Sequence, residues 1–145
     1  MLDNQEIINA INNREYTYAI VRDNAIIFNF TGSGIGAVAK TIKLDSSMLK
    51  GSEIYDTYVG KGVASLLAKY GAVGVYAEAI TQKAIDVLNK YGIKYAYKEL
   101  VPMIYNHDES AECPFEVGVK NTDDLDEAED IVFKTIIELK KQENK

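Results

Sequence analysis

The chain has 145 residues, 26% charged and 47% apolar, with ten Tyr, four Phe and no Trp; this is the make-up of one folded domain, 1–145, and excludes disorder as the main reading. A net charge of −6 and a pI near 4.8 exclude nonspecific nucleic-acid binding, which depends on lysine and arginine neutralising phosphates. No stretch approaches the roughly 18 apolar residues that cross a bilayer, so neither nucleic acid nor membrane is an expected partner.

Residues 3–13 open with Asp3 and Glu6 in a variant capping box, and Ile7, Ile8 and Ile11 follow at helical spacing. Tyr16 to Val21 and Ala25 to Phe30 are rich in aromatic and β-branched residues and flank Arg22-Asp23-Asn24, which predicts a β-hairpin. The loop Thr31-Gly32-Ser33-Gly34-Ile35-Gly36 then feeds a helix with Ile35, Val38 and Ile42 on its buried face. Asp45 to Ser52 reads as polar turn, with Ile54 and Tyr55 as a short strand. From Val59, the positions Val63, Leu66, Leu67 and Tyr70 predict a helix stopped by Gly71.

Val73 to Ile80 is a small apolar run, as in a strand covered on both faces, and Thr81 caps a helix carrying Ala84, Ile85 and Leu88 up to Gly92. Ile93 to Leu100 is the next strand, so strand, helix, strand gives parallel neighbours beside an antiparallel hairpin: a mixed sheet in an αβα sandwich. Cys113 falls at the N-cap of a short helix through Val119, with Pro114 at N1 and Glu116 at N3. A last helix starts at Thr122, carries Leu125, Ala128, Val132, Ile136 and Leu139, and ends in a frayed charged tail, Lys140 to Lys145.

Three places carry chemistry. At its helix N-cap, Cys113 gains dipole and N–H stabilisation of a thiolate, which lowers its pKa, with His107 near in sequence; the alternative is a small buried hydrophobe. Lys61 stands between Gly60 and Gly62 at a helix start, where the ammonium and N–H groups bind phosphate or carboxylate, although the spacing is not that of a Walker A loop. The alternative is a surface lysine in a softened first turn. Asp56 pairs with Lys61 and lowers its own pKa, or is a solvated turn carboxylate. Ser33 and Gly34, in the glycine-rich loop, either cradle an anion or make a tight connection. One histidine and one cysteine are too few for a typical zinc site, so no metal and no cofactor is expected. One cysteine cannot close an internal disulfide, and Met1 to Glu6 lacks a signal-peptide layout, which makes the cytoplasm the default location.

Four segments in order, Asp56-x-x-Val59-Gly60-Lys61-Gly62-Val63-Ala64, Val73-Gly74-Val75-Tyr76-Ala77, Val101-Pro102-Met103-Ile104-x-Asn106 and Cys113-Pro114-Phe115-Glu116, together resemble an uncharacterised prokaryotic single-domain family of unknown function within the cytidine deaminase-like superfamily. The resemblance implies a three-layer α/β/α sandwich with a mixed sheet, in which the helix starts at Gly60-Lys61 and Cys113 lie side by side at the strand ends. Zinc deaminases hold their metal there, with a His-x-Glu or Cys-x-Glu pair and a Pro-Cys-x-x-Cys motif. Val59-Gly60-Lys61 and a lone Cys113 depart from both motifs and argue against zinc-dependent deamination.

The expectation is a small-ligand domain holding a small anionic molecule with Lys61 and the N–H groups of Gly60 and Gly62. Ser33, Gly34, Asn106 and Glu116 are further ligand contacts. Cys113 is the nucleophile, and Asp56, His107 or Glu116 handles protons. The second reading is a non-catalytic ligand sensor or interaction module in which Cys113 is replaceable. A homo-oligomer is compatible with either.

Overall fold

A computed structural model of the chain describes residues 2–32, 35–106 and 109–143, so the expectations placed on Ser33, Gly34 and His107 lie outside the described residues. The first helix, α1 (Gln5–Asn12), is capped one residue later than the sequence predicts: Asn4, not Asp3, accepts from the Ile7 N–H at 3.2 Å. Strands β1 (Tyr18–Arg22) and β2 (Ala25–Phe30) form the expected hairpin. Asp23 and Asn24 both take positive φ, 54° and 64°, the left-handed pair that lets a two-residue turn follow the twist of its strands.

Helix α2 (Ile35–Asp45) and a single 3-10 turn (Ser46–Met48) lead to β3 (Glu53–Val59), which is longer than the short strand read from Ile54 and Tyr55. The turn before it is held by an unanticipated clamp. Arg22 donates to the carbonyls of Ser47, Met48 and Lys50 at 3.0–3.1 Å and to Ser52 Oγ at 3.2 Å, so the end of β1 gathers the acceptors of the turn.

After β3 the chain alternates through α3 (Lys61–Lys69), β4 (Gly74–Thr81), α4 (Gln82–Lys90) and β5 (Lys94–Val101). Gly71 and Gly92 end the two helices at φ of 82° and 70°, and Thr81 caps α4 by accepting from the Ala84 N–H at 3.2 Å. The sheet order is β2-β1-β3-β4-β5; β1 runs antiparallel to both neighbours, and β3, β4 and β5 are parallel. Parallel pairing brings the starts of α3 and α4 to one edge of the sheet, because Val59 lies opposite Ile80 just before the two turns. That edge is the one where ligands bind in open α/β sheets.

A short helix, α5 (Pro114–Val119), and a long one, α6 (Leu125–Glu143), follow. The sequence starts the last helix at Thr122, but the cap is Asp124, which accepts from the Glu127 N–H at 3.0 Å; the helix also continues through Glu143, across part of the tail read as frayed. One face of the sheet is covered by α1, whose Ile7 and Ile11 pack with Ala19, Val21, Tyr55 and Tyr76. The other is covered by α2, α3, α4 and α6 in a larger core built on Tyr18, Ile20, Ile54 and Val75. The fold is therefore a three-layer α/β/α sandwich with a mixed five-stranded sheet. Among the described residues no helix is long and apolar enough to cross a membrane.

Candidate functional site

At the strand ends, Gly60 is the N-cap of α3 and offers no side chain to the free N–H groups of the first turn. A carboxylate from another part of the chain takes them instead. The Lys61 N–H donates to Glu116 Oε1 at 2.7 Å and the Gly62 N–H donates to Oε2 at 2.8 Å, so both oxygens of one side chain on α5 close the start of α3. Glu116 is only 8% exposed. Burial pushes its carboxyl above the ordinary value, the two N–H donors pull it down, and Glu112 and Lys83 act in opposite directions from further away.

This staple explains Gly60. Its φ of −103° is open to any residue, but a Cβ there would overlap the Glu116 carboxyl group. At Gly62 an added Cβ would lie 3.0 Å from Ile35 Cδ1 and 3.3 Å from Glu116 Oε2. The glycines admit a close approach, as the sequence reading held, and what approaches is the protein's own carboxylate. Glu116 is thus neither a local cap on α5 nor an open ligand contact.

Cys113 is the N-cap of α5, with Pro114 following, as expected from sequence. Its backbone N–H donates to the Ile104 carbonyl at 2.8 Å, and a bridge between Tyr105 and Glu112 folds the preceding loop back on itself. The expected lowering of its pKa is overturned. Desolvation pushes the thiol up, Glu116 and Glu112 push it further, and the Phe115 and Glu116 N–H groups oppose this without reversing it. The same geometry that brings the carboxylate to α3 makes the neighbourhood of the sulfur poor for a thiolate. Alkylation of native protein by iodoacetamide is expected to titrate with an apparent pKa above that of a free cysteine; a value below it would reinstate an activated thiol.

Asp56 is corrected in position and in state. It lies within β3 and is 1% exposed, paired across the sheet with Tyr18, not in a turn beside Lys61. Its Oδ1 accepts from the Thr57 N–H at 2.7 Å, while Oδ2 is buried without a hydrogen-bond partner among the described residues. Burial holds its carboxyl well above the ordinary value, the reverse of the expected lowering. Asn106 is committed to its own loop: its Oδ1 accepts from the Ser110 and Ala111 N–H groups at 3.0 and 3.2 Å.

Lys61 carries the remaining chemistry. Its ammonium donates to the Lys120 carbonyl at 3.3 Å and lies 3.5 Å from Asp123 Oδ1, on the wall of a hollow of about 210 Å³. Lys83 and Lys90 from α4 and Lys120 from the end of α5 line the same hollow, with Asp86 and Asp123 as its carboxylates and Val87 as an apolar patch. Cys113 does not line it. Sequence reasoning passed over Lys83, Lys90 and Lys120, whose only signal was the i, i+7 spacing of two lysines on one helix face.

The zinc chemistry implied by the deaminase-like resemblance does not fit these residues. Gly60 and Lys61 offer no metal-binding side chain, and both oxygens of Glu116, the carboxylate next to Cys113, are engaged by N–H donors.

The model of the TM1506 family, described as a domain of unknown function (DUF1893), matches residues 6–136. Among solved structures, the DUF1893 family protein TM1506 from Thermotoga maritima is similar with a TM-score of 0.80 at 28% identity, over 90% of this chain and 88% of that one. A dCMP deaminase from the cyanophage S-TIM5 in apo form is similar with a TM-score of 0.49 at 18% identity, over 68% of this chain and 99% of that one. At that score the likeness carries no argument about activity. No curated protein matches the chain.

Proposed function

The chain belongs to the DUF1893 family, a domain of unknown function, and from its own residues we propose that it binds a small anionic ligand in the hollow lined by Lys61, Lys83, Lys90 and Lys120. The observation that carries this reading is a cluster of four lysines, offset by Asp86 and Asp123 and by Glu112 beside Lys120, at the strand ends of a chain whose net charge is −6. Lys83 has no carboxylate within ion-pair distance among the described residues, so a ligand anion would meet at least one uncommitted ammonium. A phosphate or carboxylate group has the matching charge, and a volume of about 210 Å³ suits a compact charged ligand.

The α3 N–H groups are not the ligand's donors in this reading, because Glu116 holds them. The neutral thiol of Cys113 favours the sensor or binding-module reading over covalent catalysis, and an unpaired cysteine suits a reducing prokaryotic cytoplasm.

Calorimetric titration with inorganic phosphate tests the proposal. Wild type is expected to bind, and Lys83→Ala to bind about fivefold more weakly, on the order of 1 kcal/mol for one charged contact. Equal affinity in the two proteins, or no binding to either, would contradict it.

A further inference from the structure

Resting on the anion-binding reading above, we infer that the ligand of the hollow is a phosphoanhydride chain, diphosphate or longer, and that Lys90 holds the end remote from Lys61. Lys83 and Lys90 are seven residues apart on α4, two turns on one face, and their backbone positions differ by about 10 Å along the helix axis. Lys83 belongs to the first turn of α4, at the sheet edge where α3 starts with Lys61, and Lys90 belongs to the last. The two α4 lysines are therefore rooted at opposite ends of the helix that walls the hollow, with Lys61 and Lys120 in contact through the Lys120 carbonyl.

Charge and volume agree with an elongated, compact anion. Lys61 pairs with Asp123 at 3.5 Å and Lys120 with Glu112 at 3.8 Å, while Lys83 and Lys90 share the lining with Asp86 and form no ion pair among the described residues, which leaves one net positive charge on α4. Asp86, between the two α4 lysines, accepts from Gln82 Nε2 at 3.0 Å, which directs one carboxylate oxygen along its own helix. A chain of linked phosphates neutralises successive ammonium groups where a single tetrahedral anion meets those at one end. About 210 Å³ is below the roughly 300–1,000 Å³ of pockets that enclose a whole drug-sized ligand, so a nucleoside attached to the chain would lie outside.

The test is calorimetric titration at fixed ionic strength of wild type, Lys90→Ala and Lys134→Ala with orthophosphate, pyrophosphate, tripolyphosphate and ADP. Lys134 is exposed on α6, outside the hollow, and controls for nonspecific charge. Tripolyphosphate is expected to bind wild type at least tenfold more tightly than orthophosphate. Lys90→Ala is expected to cut tripolyphosphate affinity five- to tenfold and orthophosphate affinity by less than about twofold, the smaller loss reflecting its distance from the end that a single phosphate occupies, and Lys134→Ala to change neither. ADP binding at least as tightly as pyrophosphate identifies a nucleotide as the source of the chain, and weaker ADP binding identifies the free anhydride. Equal affinity for orthophosphate and tripolyphosphate, or equal losses in both lysine variants, would overturn the chain-length inference while leaving the anion site standing. Failure of all four ligands to bind would overturn both.

Discussion

Glu116→Ala is expected to lower the unfolding free energy by about 2–4 kcal/mol, because it abandons two N–H donors at a largely buried helix start and leaves a void where the carboxylate sat. The raised pKa of Glu116 does not cancel this loss: it reports that burial disfavours the ionised over the protonated carboxyl, whereas the substitution removes the acceptor altogether. Glu116→Gln keeps one acceptor oxygen, faces the second N–H with an amide donor, and should fall between the two. Gly60→Ala is expected to cost a similar amount, since its methyl group and the carboxylate compete for one space. The decisive feature is coupling. In urea unfolding, the double variant Gly60→Ala/Glu116→Ala should be destabilised by clearly less than the two single losses added together. Full additivity would mean that the staple does not set the stability of this corner.

Asp56→Asn is expected to act in the opposite direction, raising stability at pH 8 by about 1–3 kcal/mol, the scale of a buried polar group left without a partner. The sign follows from the raised pKa. A carboxyl that holds its proton more tightly when folded than when unfolded favours the folded state below the unfolded value, near 3.9; that advantage is lost as pH rises through the window up to the folded value. Asparagine does not ionise there, so the gap between variant and wild type should be smallest near pH 4 and widen toward pH 8. Unfolding by urea across that range measures the gap directly, and other carboxylates cancel in the difference. Destabilisation by Asn at every pH would show that the folded protein needs an ionised Asp56.

Local chemistry was legible in the sequence where the structure is local. Asp23-Asn24 announced the hairpin because both residues tolerate positive φ, and Gly71, Thr81 and Gly92 marked helix ends that the chain uses. The central strand β3 was under-read because Asp56 and Thr57 interrupt its apolar run. Both are nevertheless buried, with Thr57 Oγ1 donating to the Thr17 carbonyl at 2.8 Å and Asp56 bonded to the next N–H. Helix starts slipped by one or two residues where several capping residues stand together, as Asp3 and Asn4 or Thr122, Asp123 and Asp124 do.

At the candidate site, Gly60, Lys61, Gly62 and Glu116 were each singled out, and the structure brings them together, but their relation was invisible. Glu116 acts across 54 and 55 residues, and no spacing rule reports a helix start satisfied from so far along the chain. The lysine hollow was missed for the same reason: α4 contributes two of its cations, while α3 and α5 bring the others by tertiary packing. The resemblance placed the helix starts at Gly60-Lys61 and Cys113 side by side, as the Glu116 contacts to α3 bear out, but the electrostatics around Cys113 follow from two carboxylates that only folding places beside it.

A chemical-shift titration of nitrogen-15-labelled protein with orthophosphate tests most directly whether the start of α3 is closed by Glu116 and the anion is held by the lysines beyond it. The expected result is saturable movement of the amide signals of Lys83, Lys120 and Asp123, with the Gly62 amide unmoved because its hydrogen bond to Glu116 persists. Largest movement at Lys61 and Gly62, with Lys83 still, would mean that the anion displaces Glu116 from the helix start, and would contradict the account.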